Sequence, residues 1–432
     1  MLWLLLACEP SAEDSDDTEP VESLDRDSEP LVQDSSVPAD TAPEVVGSPD
    51  PPEVHEETLG DQELDDSWIF DSWTIHDVAI TLPQSSIDAL DTAPYTYTEA
   101  SLSFDGIEFA TVGVRLRGKI GSFRALSGKP KFKIDLNQYV EDQRLYGLET
   151  LSLNNSVVDC SYMKEAHAYR LFETVGVAAP RQSWARVTVN GEPYGLYVLI
   201  ETPDDAFLKH HYEDPTGNLY DGKYVWYGGY SYTLLDFAEG HDELYQLEEG
   251  TDVAQADIIG VSQAVFDNAG QSTWNDEVGK VVDWDQFHLE WSVAQYVGQN
   301  DGYELNTNNY RVYFDPSSGG RAHIVPWDFD YSFLHDYQWG LSWATPNGKL
   351  AYFCMVDATC RSEHAAAMET VIEAADAANL VGFHDEMVAL IADDVAADTR
   401  RECSDAGVAS EQARVRGWVL GQSETMRSWW GL

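Results

Sequence analysis

Two aspartates 27 positions apart, Asp301 and Asp328, stand in the segments Gln299-Asn300-Asp301-Gly302-Tyr303-Glu304-Leu305-Asn306-Thr307-Asn308-Asn309-Tyr310 and Ile324-Val325-Pro326-Trp327-Asp328-Phe329-Asp330. Residues 310–314 and 323–325 read as buried strands, so the first aspartate precedes one strand and the second follows the other. An aspartate, a loop, an asparagine, two strands joined by a turn, and a second aspartate bring two carboxylates and an amide to one place. Phosphoryl transfer from magnesium-bound ATP asks for that set. One aspartate takes the acceptor hydroxyl's proton, while an asparagine and a second aspartate hold metal.

The elements that would position these groups follow from periodicity. Strands are predicted over 76–82, 95–104 and 107–112, with Asp105-Gly106 as a hairpin turn, then over 131–136 after a polar loop at 119–130. Residues 162–175 carry apolar positions near helical spacing, and Gly176 is placed as the stop. A second hairpin spans 183–189 and 194–200 about Asn190-Gly191. Beyond residue 201 the pattern turns helical, over 283–299, 365–378 and 410–429, interrupted by the small hairpin at 310–325. The fold class is therefore α+β. A β-rich N-lobe (67–200) with one helix and a helical C-lobe (201–432) give the two-lobed plan of a protein kinase.

Bulk composition sets the address and excludes some partners. The formal charge is −51, with 76 acidic and 25 basic residues, and no basic stripe offsets it, so nucleic-acid binding is not expected. Between positions 9 and 66 there are 21 acidic residues against Arg26 alone, with many Ser, Pro and Thr. Such a segment cannot bury enough apolar surface to offset its ordering entropy and reads as a disordered acidic linker. The first eight residues end in Leu5-Leu6-Ala7-Cys8, a lipobox-like pattern in which Cys8 would be lipidated and would provide the membrane attachment. The expected location is that of an exported bacterial lipoprotein, facing the cell surface or periplasm, or otherwise a secreted protein. Of the other cysteines, Cys354 and Cys360 enclose a short loop and are expected to pair, which leaves Cys160 with Cys403.

A run of short motifs carries a resemblance. Val114-Arg115-Leu116-Arg117-Gly118, Lys131-Phe132-Lys133-Ile134, Leu151-Ser152-Leu153-Asn154-Asn155, Gly176-Val177-Ala178-Ala179-Pro180, Tyr194-Gly195-Leu196-Tyr197, Gly217-Asn218-Leu219-Tyr220 and Pro326-Trp327-Asp328-Phe329-Asp330 occur in this order. The segment from about 112 to 335 resembles the spore coat protein H (CotH) kinase family. That resemblance implies an atypical, secreted-type protein kinase that binds ATP with Mg2+, or Mn2+ in its place, and phosphorylates Ser or Thr of a protein substrate. Under it, Asp301 is the general base and Asp328 a metal ligand, with Asp330 as a second ligand or a turn cap. Asn306, five positions after Asp301, and Asn309, directly before a strand, compete for the metal-binding asparagine, with Asn309 preferred. Lys133 is favoured as the lysine that meets phosphate, with Lys131 on the same strand face and Arg117 as helpers. Glu165, in the first turn of the helix, would pair with the strand lysine, and Glu201 would lie near the hinge and the adenine.

Two other classes compete. One is a non-catalytic surface adhesin or coat-assembly module on the same fold, since fold does not fix function. The other is a metal-dependent hydrolase or glycan-binding protein, suggested by Trp226, Tyr227, Tyr230, Tyr232, Trp339 and Trp343.

Overall fold

In the computed structural model, residues 65–119, 121–222, 225–227, 230–232, 235–335, 340 and 342–432 are described. The lipobox-like segment and the acidic stretch as far as residue 64 lie outside the described residues.

Alternating apolar side chains build the first layer. Strands β1 (Ile75–Thr81), β2 (Thr98–Phe104), β3 (Ile107–Arg117), β4 (Lys131–Asp135), β5 (Thr150–Asn154), β6 (Gln182–Val189) and β7 (Glu192–Ile200) form a closed barrel in the order β1-β2-β3-β4-β5-β7-β6. Closure comes from a parallel pairing of β1 with β6, running from Ile75 opposite Trp184 to Ile80 opposite Val189. Val78, Ile80, Leu102, Phe104, Val114, Leu116, Phe132, Ile134, Leu151 and Leu153 fill the interior. Since successive residues on a strand face opposite ways, Arg115, Arg117, Lys131 and Lys133 stand on the outside of the barrel. Both hairpins use the turns that their sequences call for. Asp105 and Gly106, and Asn190 and Gly191, all have positive φ, as a tight turn matched to strand twist requires.

Two helices belong to this half. Helix α1 (Gln84–Thr92), which the sequence reading does not contain, crosses from β1 to β2; only Ser86 and Leu90 of it are buried, so its apolar signal is slight. Helix α2 (Lys164–Val175) ends on Gly176 at φ 74, whose N–H reaches back to the carbonyls of Phe172 and Glu173.

The remainder is mostly helical, around a four-stranded antiparallel sheet. After α3 (Asp205–His211) come β8 (Asn218–Gly222), a ribbon of β9 (Val225–Tyr227) and β10 (Tyr230–Tyr232), then β11 (Tyr245–Glu249), α4 (Ala256–Asp267), α5 (Trp274–Val278), α6 (Trp284–Tyr296) and α7 (Tyr303–Asn306). Strands β12 (Tyr310–Asp315) and β13 (Arg321–Pro326) precede α8 (Lys349–Val356), α9 (Ala358–Ala377), α10 (Leu380–Ala397) and α11 (Asp405–Trp430). The sheet order is β11-β8-β12-β13, so the small hairpin expected here is one side of a larger sheet. All six residues of β12 are buried. Helices α2, α6, α9, α10 and α11 share one core, which includes Tyr169, Phe172, Phe329, Met368, Met387 and Val415.

Both expected disulfides are present. Cys160–Cys403 ties the approach to α2 to the α10–α11 connection, and Cys354–Cys360 ties α8 to the first turn of α9, with Cα separations of 5.8 and 5.0 Å. Among the described residues no helix is long and apolar enough to cross a membrane.

Candidate active site

The Asp301 loop is held from below by α6, whose start is capped by Asp283 accepting from the Gln286 N–H. At the other end Gly298 turns the chain at φ 62, and a Cβ there would come within 2.4 Å of the Leu334 carbonyl oxygen. The next residue joins the two aspartate segments. Gln299 donates through Nε2 to the Asp328 carbonyl (3.1 Å) and accepts at Oε1 from the Asp301 N–H (3.2 Å). Gln299 itself is completely buried, and its two partners lie at the edge of the site.

Asp301 is received by three amides. Asn306 and Asn308 donate to Oδ1, the latter at 3.2 Å, and Asn309 donates to Oδ2 at 3.0 Å. Burial pushes the Asp301 carboxyl up, the three amides pull it down and the nearby Asp328 pushes it up again; the balance is a raised pKa. A carboxylate with fixed lone pairs and a raised pKa is better placed to accept a proton than a free one. With their nitrogens committed, the amide oxygens of Asn306 and Asn309 remain available to a cation. Both alternatives for the metal-binding asparagine therefore lie beside Asp301, and Asn308 joins them without having been singled out in the sequence.

Asp328 follows β13 in a left-handed conformation (φ 52, ψ 71) with its side chain about a quarter exposed (26%). Across from it comes Lys131, whose Nζ lies 3.4 Å from Asp328 Oδ1 and 2.8 Å from Asp330 Oδ2. Burial works against the Lys131 ammonium, but Asp328, Asp330 and Glu165 outweigh it and raise its pKa. Burial and then Asp328 push the Asp330 carboxyl up to about 7, although Lys131 pulls the other way. The structure thus brings Lys131 to the acidic pair, rather than the favoured Lys133.

Glu165 faces the same place from α2 without pairing to Lys131. Its Oε2 accepts from Asn154 Nδ2 at 2.6 Å and its Oε1 has no partner. Burial first, then Asp328 and Asp330, hold its pKa well above the usual carboxylate range. Three carboxylates face two ammonium groups, Lys131 and Lys164, the latter donating to the Asp330 carbonyl at 3.0 Å, and with a buried Glu165 oxygen left unpaired they form a set that a divalent cation would satisfy. Its donors are all oxygen, the chemistry of Mg2+ or Mn2+.

The remaining candidates lie to either side. Arg117 holds its guanidinium 5.2 Å from the Trp327 ring centre, and Arg311, from β12, holds its own at 5.5 Å. Glu201 is turned away from the acidic pair. Its buried carboxylate accepts from Arg181 and lies 3.0 Å from His211 Nε2. Burial alone would raise its pKa, but His211 and Arg181 bring it down to about 2. A depressed carboxyl stabilises the fold fully above its unfolded pKa near 4.5 and loses that contribution as the pH falls through about 2. Glu201→Gln is therefore expected to cost roughly 3 kcal/mol at neutral pH, with the gap to wild type closing between about pH 4.5 and 2 in urea titrations. A gap independent of pH would show that packing, not the ion pair, is lost.

Of the aromatics that suggested a glycan site, Trp343 is buried in the core. The side chains of Trp226, Tyr227, Tyr230 and Tyr232, and the whole of Trp339, lie outside the described residues. A cavity of about 670 Å3 between α5, α6 and α9, lined by Trp284, His288 and Glu363, contains none of the residues above.

Residues 114–398, from within β3 to the end of α10, match the family model described as CotH kinase protein. The chain belongs to this CotH kinase family. The match takes in every site residue named above, and it extends past residue 335 into a part where the sequence motifs gave nothing. Among curated relatives, the chain is 24% identical over 207 residues to the inner spore coat protein H of Bacillus subtilis (strain 168), covering 46% of this chain and 54% of that protein. It is 38% identical over 65 residues to an inner spore coat protein H-like protein of the same organism, covering 15% of this chain and 21% of that one. The chain thus spans about half the length of the first relative and about a fifth of the second. Among solved structures, it is similar to a chain of the Shewanella oneidensis MR-1 complex of HipA, HipB and operator DNA. The identity is 11%, the coverage 72% of this chain and 66% of that one, and the TM-score 0.32. At that TM-score the fold of this CotH kinase family member rests on its own elements.

Proposed function

We propose that this chain is an atypical protein kinase of two-lobed plan, with the barrel as N-lobe and the helical part as C-lobe. It transfers the γ-phosphoryl group of ATP to a Ser or Thr hydroxyl of exported or surface proteins. The observation that carries the reading is the joint held by Gln299, which sets the amide-bound Asp301 beside Asp328, with Lys131 facing the latter from the barrel. In the proposed step the acceptor oxygen forms a bond to the γ-phosphorus as the bond to the bridging oxygen of ADP breaks. Asp301 accepts the hydroxyl proton, and its three amides keep the accepting oxygen in place. Lys131 neutralises phosphate charge once the nucleotide competes for it with Asp330. Asp328, Asp330 and the amide oxygen of Asn309 (or Asn306) would hold Mg2+, which when bound supplies charge neutralisation on the phosphates.

The surroundings agree with work outside the cell. Relatives named as spore coat proteins and two disulfides support an extracellular or surface-associated location, and anchoring through a lipidated Cys8 is part of the proposal. One observation favours the second reading, a non-catalytic coat module. Lys131 pairs with Asp330, and Glu165 bonds Asn154 instead.

Thermal unfolding with ATP, in the presence and absence of Mg2+, separates the two. ATP at 100 times its dissociation constant is expected to add about 2.7 kcal/mol of stability, with the larger shift when the metal is present. Labelled phosphate should then appear on Ser or Thr of co-exported proteins or of the chain itself. No shift with any nucleotide would end the kinase reading.

A further inference from the structure

Away from the Asp301–Asp328 site, three ligand-type side chains meet inside the helical part. His288 on α6, Cys354 on α8 and Cys360 on α9 are all buried, and one imidazole nitrogen and the two sulfurs lie within 4.8 Å of one another. Glu363, one turn along α9 from Cys360, brings Oε2 to 3.9 Å from His288 Nε2, which is also 3.9 Å from Cys360 Sγ. Asn275 donates to the same Glu363 oxygen at 3.0 Å.

His288 is poorly served by hydrogen bonds for so buried a ring. Its Nδ1 has no partner, and both contacts of its Nε2 are long. The ring stacks on Trp284, and burial brings its pKa down to about 4, so at neutral pH it is uncharged and carries a lone pair. The Cys354–Cys360 disulfide accounts for the sulfurs only in part. It joins residues 6 apart, against 243 for Cys160–Cys403, and a loop that short removes comparatively little entropy from the unfolded chain. It also leaves the convergence of His288 and Glu363 on the same sulfur without a reason.

We infer that Cys354, Cys360 and His288, completed by Glu363, form a Zn2+ site whenever the Cys354–Cys360 bond is reduced. Two thiolates, an imidazole and a carboxylate make a tetrahedral set suited to zinc and unsuited to Mg2+. The reductant is a dithiol of the kind that keeps thiols reduced before export. It gives two electrons to the S–S bond and two protons to the sulfurs, and leaves as its own disulfide; Zn2+ then displaces the two protons. Exchange with an oxidising disulfide takes the two electrons back, restores the S–S bond and releases the metal. The cavity between α5, α6 and α9 is lined by His288 and Glu363 and gives the ion an approach from solvent. Sulfur thus clips α8 to α9 in either state, and the site is independent of the kinase reading.

Cobalt absorption on the full chain tests this without requiring activity, because sulfur-to-cobalt charge transfer reports thiolate ligands and ignores the all-oxygen set around Asp328. The chain is reduced with dithiothreitol, freed of it in the absence of air, and titrated with Co2+ and then Zn2+. One Co2+ per chain should produce the charge-transfer band, Zn2+ should displace it, and the oxidised chain should show none. His288→Gln should weaken Co2+ binding by about a hundredfold and Glu363→Gln by about tenfold. Folded Cys160→Ser, which removes a thiol outside the set, should bind as the wild type does. Oxidised glutathione should release the metal in step with the loss of two thiols. Absence of the band from the reduced wild-type chain would overturn the site, and that result depends on no variant's folding. So would a band that His288→Gln leaves at full strength, or that folded Cys160→Ser abolishes, since the metal would then sit on other thiols.

Discussion

Replacing Asp301 by Asn is expected to lower phosphate transfer by a factor of about 10² to 10⁴, the usual worth of a positioned general base. The loss should appear in kcat, with nucleotide binding nearly unchanged, because Asp301 is proposed to touch the acceptor and not the phosphates. The substitution also has a local consequence. Asp301 accepts from Asn306 and Asn308 at one oxygen and from Asn309 at the other. A side-chain amide in its place presents N–H groups to at least one of those donors, so one charge-assisted bond becomes a contact between donors. That costs about 1–3 kcal/mol locally and is too little to unfold a domain with three separate buried clusters around the site. Asn308→Ala is the companion variant. It removes one of three donors and leaves the carboxylate, so transfer should fall by only about tenfold or less. Near-normal transfer by Asp301→Asn, with a purified chain and a defined acceptor, would remove Asp301 from the role of base.

Why some of this was legible in the sequence and some was not follows from where the contacts are made. Asp301, Asn309 and Asp328 are grouped by a hairpin, a local device, and local patterning reveals it. The Asp-Gly and Asn-Gly turns, the glycine stop of α2 and the two disulfides are local in the same sense. The choice between Lys131 and Lys133 is not. Both project from one face of β4, and the selection is made by Asp328 and Asp330, nearly 200 positions away. Barrel closure also escaped, because it depends on a parallel pairing of β1 with β6 across more than a hundred residues. Arg311 was hidden by its strand. Every residue of β12 is buried, so the period-two alternation that would have marked an outward cation is missing. The signal that could have found it is a charged residue inside an otherwise apolar and aromatic run, two positions after Asn309. Glu201 went the other way. The sequence shows a strand-end carboxylate near a change of lobe, but Arg181, 20 positions earlier, and His211 take it up.

The largest effect on stability is expected at a buried ion pair remote from the chemistry. Lys129 Nζ lies 2.6 Å from Asp398 Oδ2 with side-chain exposures of 1% and 0%. It also donates to the Leu196 carbonyl at 2.7 Å and lies over the rings of Tyr162 and Tyr197. Asp398 caps the end of α10, where it accepts from the Leu196, Arg400 and Arg401 amides, so the pair joins the barrel to the helical core. Gly195 makes the approach possible, since a Cβ there would sit 2.1 Å from the Asp398 carboxyl carbon. Asp398→Ala leaves an ammonium buried without its counter-charge and strips three amides of their acceptor, for an expected loss of about 3–5 kcal/mol in urea unfolding. The pH dependence has a definite sign. Burial lowers the Lys129 pKa although Asp398 opposes it, and without Asp398 the lowering grows. The unfolded chain then binds more protons than the folded one up to about pH 10, so the variant's stability rises with pH and its deficit narrows in alkali. Lys129→Met combined with Asp398→Leu removes both charges and should recover a good part of the loss, because an apolar pair of similar size avoids desolvation. If Asp398→Ala cost less than about 1 kcal/mol at every pH, water would have to reach Lys129, and the junction between barrel and helices would be looser than its burial implies.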